Sequence, residues 1–341
     1  MSSGLKVGAA DFSAALFIIF VIKPDRLMKR LVYTCIGAGF FALIICCGSA
    51  GKKALFSFRE TIDGVELTEN GQKVFFYQKV PKKAPGNASF NNYLHPVYNL
   101  KGEVITEEFP ADHFHHRGIF WAWHQIYINE TNLGDGWMME SFSQEVSGIK
   151  TKADKNAARL DATVMWKSSK WMDGQPFLQE ETSITVYPAE ENLRKIDFEI
   201  ILKPLVEGIR LGGSDDEKGY GGFCVRVPLP ESTVFTSENG PVKPQNLQIK
   251  AGPWMDFSAF HNNSTQKSGV AILCHPSVPN YPATWILRQK ASMQNIVYPG
   301  REPVTLDKPV VLKYRVIIHN GDAASIDLRE LQKEYENWKG R

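Results

Sequence analysis

An all-β protein, a large antiparallel sandwich closed by one carboxyl-terminal helix, is what this sequence of 341 residues predicts. Three observations lead there. From Leu55 onward apolar residues recur with period two, the spacing that sends alternate side chains to opposite faces of a strand. The runs are cut by turn-forming pairs such as Asn70-Gly71, Lys101-Gly102, Asp173-Gly174 and Pro299-Gly300. No GxGxxG, P-loop or alternating strand–helix rhythm occurs, which argues against a doubly wound α/β fold.

The elements follow in order. Residues 56–58 lead into a hairpin of 65–67 and 73–77 joined through Asn70-Gly71, because Asn-Gly between alternating apolar residues favours a tight hairpin turn. Further strands are expected at 94–99, 103–107, 118–128, 136–146, 158–168, 179–187 and 194–202. Others fall at 222–227, 269–274, 284–288 and 310–318. Residues 322–339 read as the helix: Asp322 or Ser325 can cap it, and Leu328, Leu331, Tyr335 and Trp338 share one stripe. No linker rich in Gly, Pro or Ser divides the body, so 51–341 reads as a single domain.

Residues 1–50 read as a leader. Met28-Lys29-Arg30, the apolar run from Leu31 to Ile45 and then Cys46-Cys47-Gly48-Ser49 describe an export signal, with translation expected to start at Met28. The ending resembles a lipobox, with Cys47 as the lipidated residue. An uncleaved anchor over about 31–47 is the competing reading. Either one places the body outside the cytoplasm, in the periplasm or as an outer-membrane lipoprotein. A formal charge of +2, with no basic block interleaved with aromatics, excludes nucleic acid as a natural partner. Cys224 and Cys274 lie in strand-like runs, where a buried free thiol is the default reading even in an oxidising compartment that would allow a pair.

The chemistry concentrates at Asp112-His113-Phe114-His115-His116-Arg117-Gly118, followed by Ile119 to His124: four of eight histidines within twelve residues. If the segment is extended, His113 and His115 share one face and His116 takes the other. Beyond Gly118, Phe120, Ala122 and His124 then oppose Ile119, Trp121 and Trp123. Imidazoles beside aromatic rings suit general acid/base work and hydrogen bonds to hydroxyls. His113, His115 and His116 are therefore candidate catalytic groups, with Glu181 as the partner carboxylate. Arg117, Arg226, His275 and Arg288 are candidate substrate-binding groups, and Trp121 and Trp123 offer a surface for a pyranose ring. No cofactor is expected. The alternative is a divalent metal held by His113, His115 and a distant His275. The acidic, glycine-rich loop from Asp215 to Gly222 suits a cation or a sugar, though such loops are commonly just solvated.

Several blocks together resemble a known family. They are His95-Pro96-Val97-Tyr98, Lys101 to Glu107, Pro110 to His113 and His115 to Trp123. Later blocks are Glu217-Lys218-Gly219, Phe223 to Arg226, Asn239-Gly240, Trp254 to Phe257, and His275-Pro276 with Asn280. Over about residues 56–320 the chain resembles the bacterial family catalogued as methane oxygenase-like, or PmoA. The body has no apolar run long enough to span a bilayer, so the resemblance does not imply a membrane monooxygenase. It implies a secreted or lipid-anchored β-sandwich of polysaccharide-degrading bacteria, with a galactose-mutarotase-like supersandwich as the expected architecture. The leading functional expectation is a carbohydrate-processing enzyme: a hydrolase, lyase or epimerase acting on glycan fragments. A non-catalytic glycan-binding lipoprotein and a metal-dependent enzyme are the alternatives.

Overall fold

Asn70 and Gly71 both take left-handed backbone, φ 51° and 82°. The first hairpin therefore closes as expected, Gly64–Glu69 on Gln72–Gln78. The computed structural model describes residues 55–261, 264–282, 284–290 and 293–340. The leader and Cys47 lie outside the described residues. Among those described, no helix is long and apolar enough to cross a membrane.

Two large antiparallel sheets form the expected sandwich. Sheet I runs Phe56–Glu60, Gly64–Glu69, Gln72–Gln78, Tyr93–Val97, Ile119–Trp123, Gly221–Val225, Gln294–Val297, Thr284–Ile286, Ile249–Lys250. Sheet II begins as a meander of Phe142–Ala153, Ala158–Ser168, Pro176–Val186 and Leu193–Pro204. It continues through Val310–Asn320, Ser268–Cys274, Trp254–Ala259, Val234–Ser237 and Gly240–Val242. The strand Ala158–Ser168 shows why pattern predicted placement, since its residues alternate strictly between buried and half-buried. A smaller sheet of Val304–Thr305, Ile209–Gly212, Gln125–Ile128 and Thr131–Gly134 flanks the pair.

Aromatic rings fill the space between the large sheets. Trp121 meets Phe198 at 6.2 Å, Trp123 meets Trp166 at 5.6 Å, and Phe223 stacks on Tyr314 at 4.7 Å. Each such ring stabilises the fold by about 1.5–3 kcal/mol through apolar burial. One carboxylate lies among them. Glu180, fully buried, accepts from Asn92 Nδ2, Trp121 Nε1, Trp166 Nε1 and Thr182 Oγ1 at 2.7–2.9 Å. Burial raises its pKa, against the pull of those four donors.

Several elements differ from expectation. The strand expected over 118–128 breaks at His124, where the chain leaves sheet I and enters the small sheet. Residues 103–107 make only a bridge, Val104 to Tyr98. The strand expected from 136 begins at Phe142, because residues 135–140 turn back on themselves through an Asp135–Glu140 bridge. The helix is shorter, Leu328–Glu336, and Asp327 caps it by accepting from the Glu330 amide. Asp322 and Ser325 instead close the turn before it. Its buried Leu328, Leu331 and Tyr335 pack on Leu193, Trp254 and Ile317. Cys224 and Cys274 are both buried and are not joined to each other.

Candidate functional site

Residues 108–117 form a closed loop, which corrects the expectation of an extended segment. Phe109 adopts φ 49° and its amide donates to the His116 carbonyl at 2.8 Å, while Glu108 and Arg117 bridge the two ends. Two successive turns lie inside, His113 N to Pro110 O at 3.0 Å and His116 N to His113 O at 2.9 Å. Gly118 then releases the chain into sheet I with φ 60°. A Cβ there would sit 2.0 Å from the Leu94 carbonyl oxygen, so only glycine fits. The turns do what a strand would not: they bring all three imidazoles together. His113 stacks on His116 at 4.7 Å, and His115 stands edge-on to His116 at 4.6 Å.

The cluster borders a hollow of about 320 Å3 that is also lined by His124, Trp137, Ser214, Asp216, Lys218 and Tyr220. It opens on the face of sheet I turned away from sheet II. Alternation along Ile119–Trp123 sets this: Trp121 and Trp123 point into the sandwich, Phe120 and Ala122 toward the histidine side. That division of faces matches expectation. Trp137 lies 2% exposed at the base, with His124 stacked over it at 5.0 Å.

Protonation is set by partners. His113 Nδ1 lies 2.9 Å from Asp112 Oδ2, and His124 Nδ1 lies 2.8 Å from Asp135 Oδ2. In each pair the carboxylate holds the Nδ1 proton and leaves Nε2 as the basic nitrogen. Asp135 is itself fixed, since its other oxygen accepts the amides of Trp137 and Met138. His116 is the reverse: the Arg226 guanidinium donates to its Nδ1 at 3.3 Å, so Nε2 carries the hydrogen. Burial, then the neighbouring imidazoles, Arg226 and Arg117, drive its pKa far down. His115 is lowered to about 4 by burial and by His113, Arg117 and His124. Both are neutral hydrogen-bonding groups near neutral pH.

The arginines serve the wall. Arg226, 4% exposed, donates to Glu107 at 2.7 Å and to both oxygens of Asp112, so it anchors the loop rather than facing a ligand. Arg117, 1% exposed, lies between Phe90 and Phe120, 4.6 Å from each ring, and donates to the His115 carbonyl. It is sealed behind the hollow, not in it. Arg288 donates to the carbonyls of Gln245, Leu287 and Asn246 and to the Tyr220 hydroxyl, and so supports a lining residue from behind.

Three further expectations are corrected. Trp121 and Trp123 offer no platform, because their indoles are sealed in the sandwich and donate to Glu180 and to the Tyr298 carbonyl. Glu181 points to the far side of sheet II, paired with Lys203, while its neighbour Glu180 turns inward. The whole sandwich separates Glu181 from the histidines. His275 ends a strand of sheet II and packs on Tyr335 of the helix at 5.3 Å, so the metal set His113, His115 and His275 is not assembled. Among the described residues, no three His, Cys, Asp or Glu are placed to hold a metal ion. Asp216 does not wait for a cation: Ser214 and the amides of Lys218 and Gly219 already occupy its Oδ1. The sequence reading missed the His124–Asp135 pair, since eleven residues and a turn separate the two and no motif links them.

The model of a family of unknown function, DUF6807, matches residues 64–333, and the chain belongs to that family. This corrects the resemblance to the methane oxygenase-like family, which the family match does not bear out. No curated protein matches the chain. Among solved structures it is similar to the α-galactosidase from Lactobacillus brevis, at 9% identity and a TM-score of 0.32, over 80% of this chain and 40% of that one. It is also similar to the GH36 α-galactosidase AgaB from Geobacillus stearothermophilus, at 11% identity and a TM-score of 0.28, over 79% of this chain and 39% of that one. The chain thus spans about 40% of the length of these enzymes.

Proposed function

We propose that this DUF6807 member is an exported carbohydrate-processing enzyme whose hollow moves protons with carboxylate-backed imidazoles. One observation carries the reading: His113 with Asp112 and His124 with Asp135 both border the same hollow. A buttressed imidazole with its Nε2 lone pair available is a natural general base at neutral pH. His116, with hydrogen on Nε2, the neutral His115 and the Tyr220 phenol supply hydrogen bonds suited to sugar hydroxyls.

The carboxylates favour one kind of chemistry. Hydrolysis of a glycosidic bond ordinarily uses two carboxyl groups flanking it, one as acid and one as base or nucleophile. Here Asp112, Asp135 and Asp216 are each held by an imidazole, a guanidinium or backbone amides. Elimination or epimerisation, in which an imidazole takes a proton from carbon, uses the groups that remain. Export and a lipid anchor at Cys47 are supported by the basic and apolar leader pattern.

The test is product formation from plant and algal oligosaccharides by the purified protein, followed by mass spectrometry, with and without EDTA. Wild type should give product whether or not the chelator is present, and His124→Gln should form it about 100-fold more slowly or worse while keeping its fold. Equal turnover by the variant, or no product from any oligosaccharide, would sink the reading.

A further inference from the structure

We propose that the substrate carries a carboxylate on the reacting ring, as a uronate does, and that the reaction is a β-elimination. The inference rests on the proton-transfer reading above and adds the substrate class to it.

Charge at the hollow is the first ground. Its anions are committed, as described, while one cation behind it, Arg117, has no counter-charge among the described residues and one at its edge, Lys218, has only a long one. The Lys218 ammonium borders the hollow and pairs with Asp216 Oδ2 at 3.8 Å, longer than a direct hydrogen bond, while the Ser214 hydroxyl and two amides hold Oδ1. Behind the histidines, Arg117 is a buried guanidinium with no ion pair among the described residues, and its Nε lacks any partner. Keeping a cation in an apolar sleeve without a counter-charge is costly, and an anion arriving in front of it recovers part of that cost. The two phenylalanine faces offset only part of it. A neutral polyol would leave this field uncompensated.

The second ground is an acid near the base. The Arg288 guanidinium donates to the Tyr220 oxygen and lies 5.3 Å over its ring, so the phenolic hydrogen is left to point elsewhere. Tyr220 and His124 flank the same indole, Trp137, at 6.0 and 5.0 Å. A ring seated in the hollow therefore meets a base and an acid from neighbouring positions.

The step balances without any co-reactant. Lys218 binds the substrate carboxylate, which spreads the charge formed when the adjacent C5–H proton leaves. His124 Nε2 takes that proton, and the C–H electron pair forms the C4–C5 double bond. The C4–O bond breaks, and the departing oxygen takes the phenolic proton of Tyr220. Proton return from the His124 imidazolium to the phenolate restores both groups.

The experiment compares 4-linked uronate oligosaccharides with the same oligosaccharides after their carboxylates are reduced to alcohols. The uronates should yield a product with the ultraviolet absorbance of a conjugated unsaturated acid, and the reduced sugars none. Lys218→Ala should raise KM for the uronates roughly tenfold, the size of one lost charge-assisted hydrogen bond, and Lys218→Arg should restore most of it. Turnover of the reduced sugars at the uronate rate, a saturated product, or an unchanged KM in Lys218→Ala overturns this inference and leaves the proton-transfer reading standing. No turnover of either set overturns both.

Discussion

The Arg226 guanidinium donates to His116 Nδ1 at 3.3 Å while also holding Glu107 and Asp112. One buried arginine from the end of a sheet I strand thus fixes the histidine loop and selects the tautomer of its most buried ring. Replacing it with methionine keeps the stem and removes five donors. Because both carboxylates are a third exposed, water recovers part of the loss. Arg226→Met should cost about 1.5–3 kcal/mol in urea denaturation, the range for hydrogen bonds to charged groups. A change near zero would mean the loop is held by something else.

His124 and Asp135 form the second buttressed pair, and Asp135 keeps its amide contacts if changed to asparagine. Asp135→Asn should therefore lower kcat about 10- to 100-fold, and His124→Gln about 100- to 10,000-fold, the span for removing a general base. Circular dichroism and thermal melting should stay near wild type for both. Equal effects on KM alone would point to binding rather than proton transfer.

His115 titrates at about 4 when folded, below its ordinary 6.5, because burial and cationic neighbours oppose its charge. Between those values the unfolded chain binds a proton that the folded chain refuses. Stability is therefore present above about 6.5 and is lost as pH falls toward about 4, and the lowered His116 adds in the same direction. Urea midpoints at neutral pH and at about pH 5 should differ, and His115→Gln should reduce the difference. A variant with the wild-type slope would remove His115 from the account.

Glu180 accepts four donors inside the sandwich. Glutamine keeps an acceptor oxygen for the three donors at Oε1 but turns an amide N–H toward Trp166 Nε1, the donor at Oε2. Glu180→Gln should thus destabilise by about 1–3 kcal/mol, the cost of a buried group left unsatisfied. Equilibrium unfolding tests it, and a neutral or stabilising result would contradict the account of four donors satisfied by this one carboxyl group.

The sheet pattern was readable wherever one face is buried and the other half-wet, as in Ala158–Ser168. It failed at some strands that are buried on both faces, such as Trp254–Ala259 and Gln294–Val297. The histidine cluster was readable as composition, but its shape was not. Period-two reasoning assumed extension, whereas Pro110, the left-handed Phe109 and Gly118 fold the segment into turns. Side-chain direction decided the rest. Glu180 and Glu181 are neighbours in sequence and lie on opposite faces of a sheet, so one is locked in the core and the other faces away on the far side, and neither reaches the site. His124 gains its carboxylate only through the turn at 135–140, which no local spacing announces.

The claim that a glycan sits against these imidazoles is tested most directly by histidine ring resonances in a carbon–proton correlation spectrum during titration with a processed oligosaccharide. The account predicts that signals of His113, His115, His116 and His124 move together and saturate together, while His275 and His319 stay fixed. Movement confined to His275, or no movement at all under conditions of turnover, would contradict it.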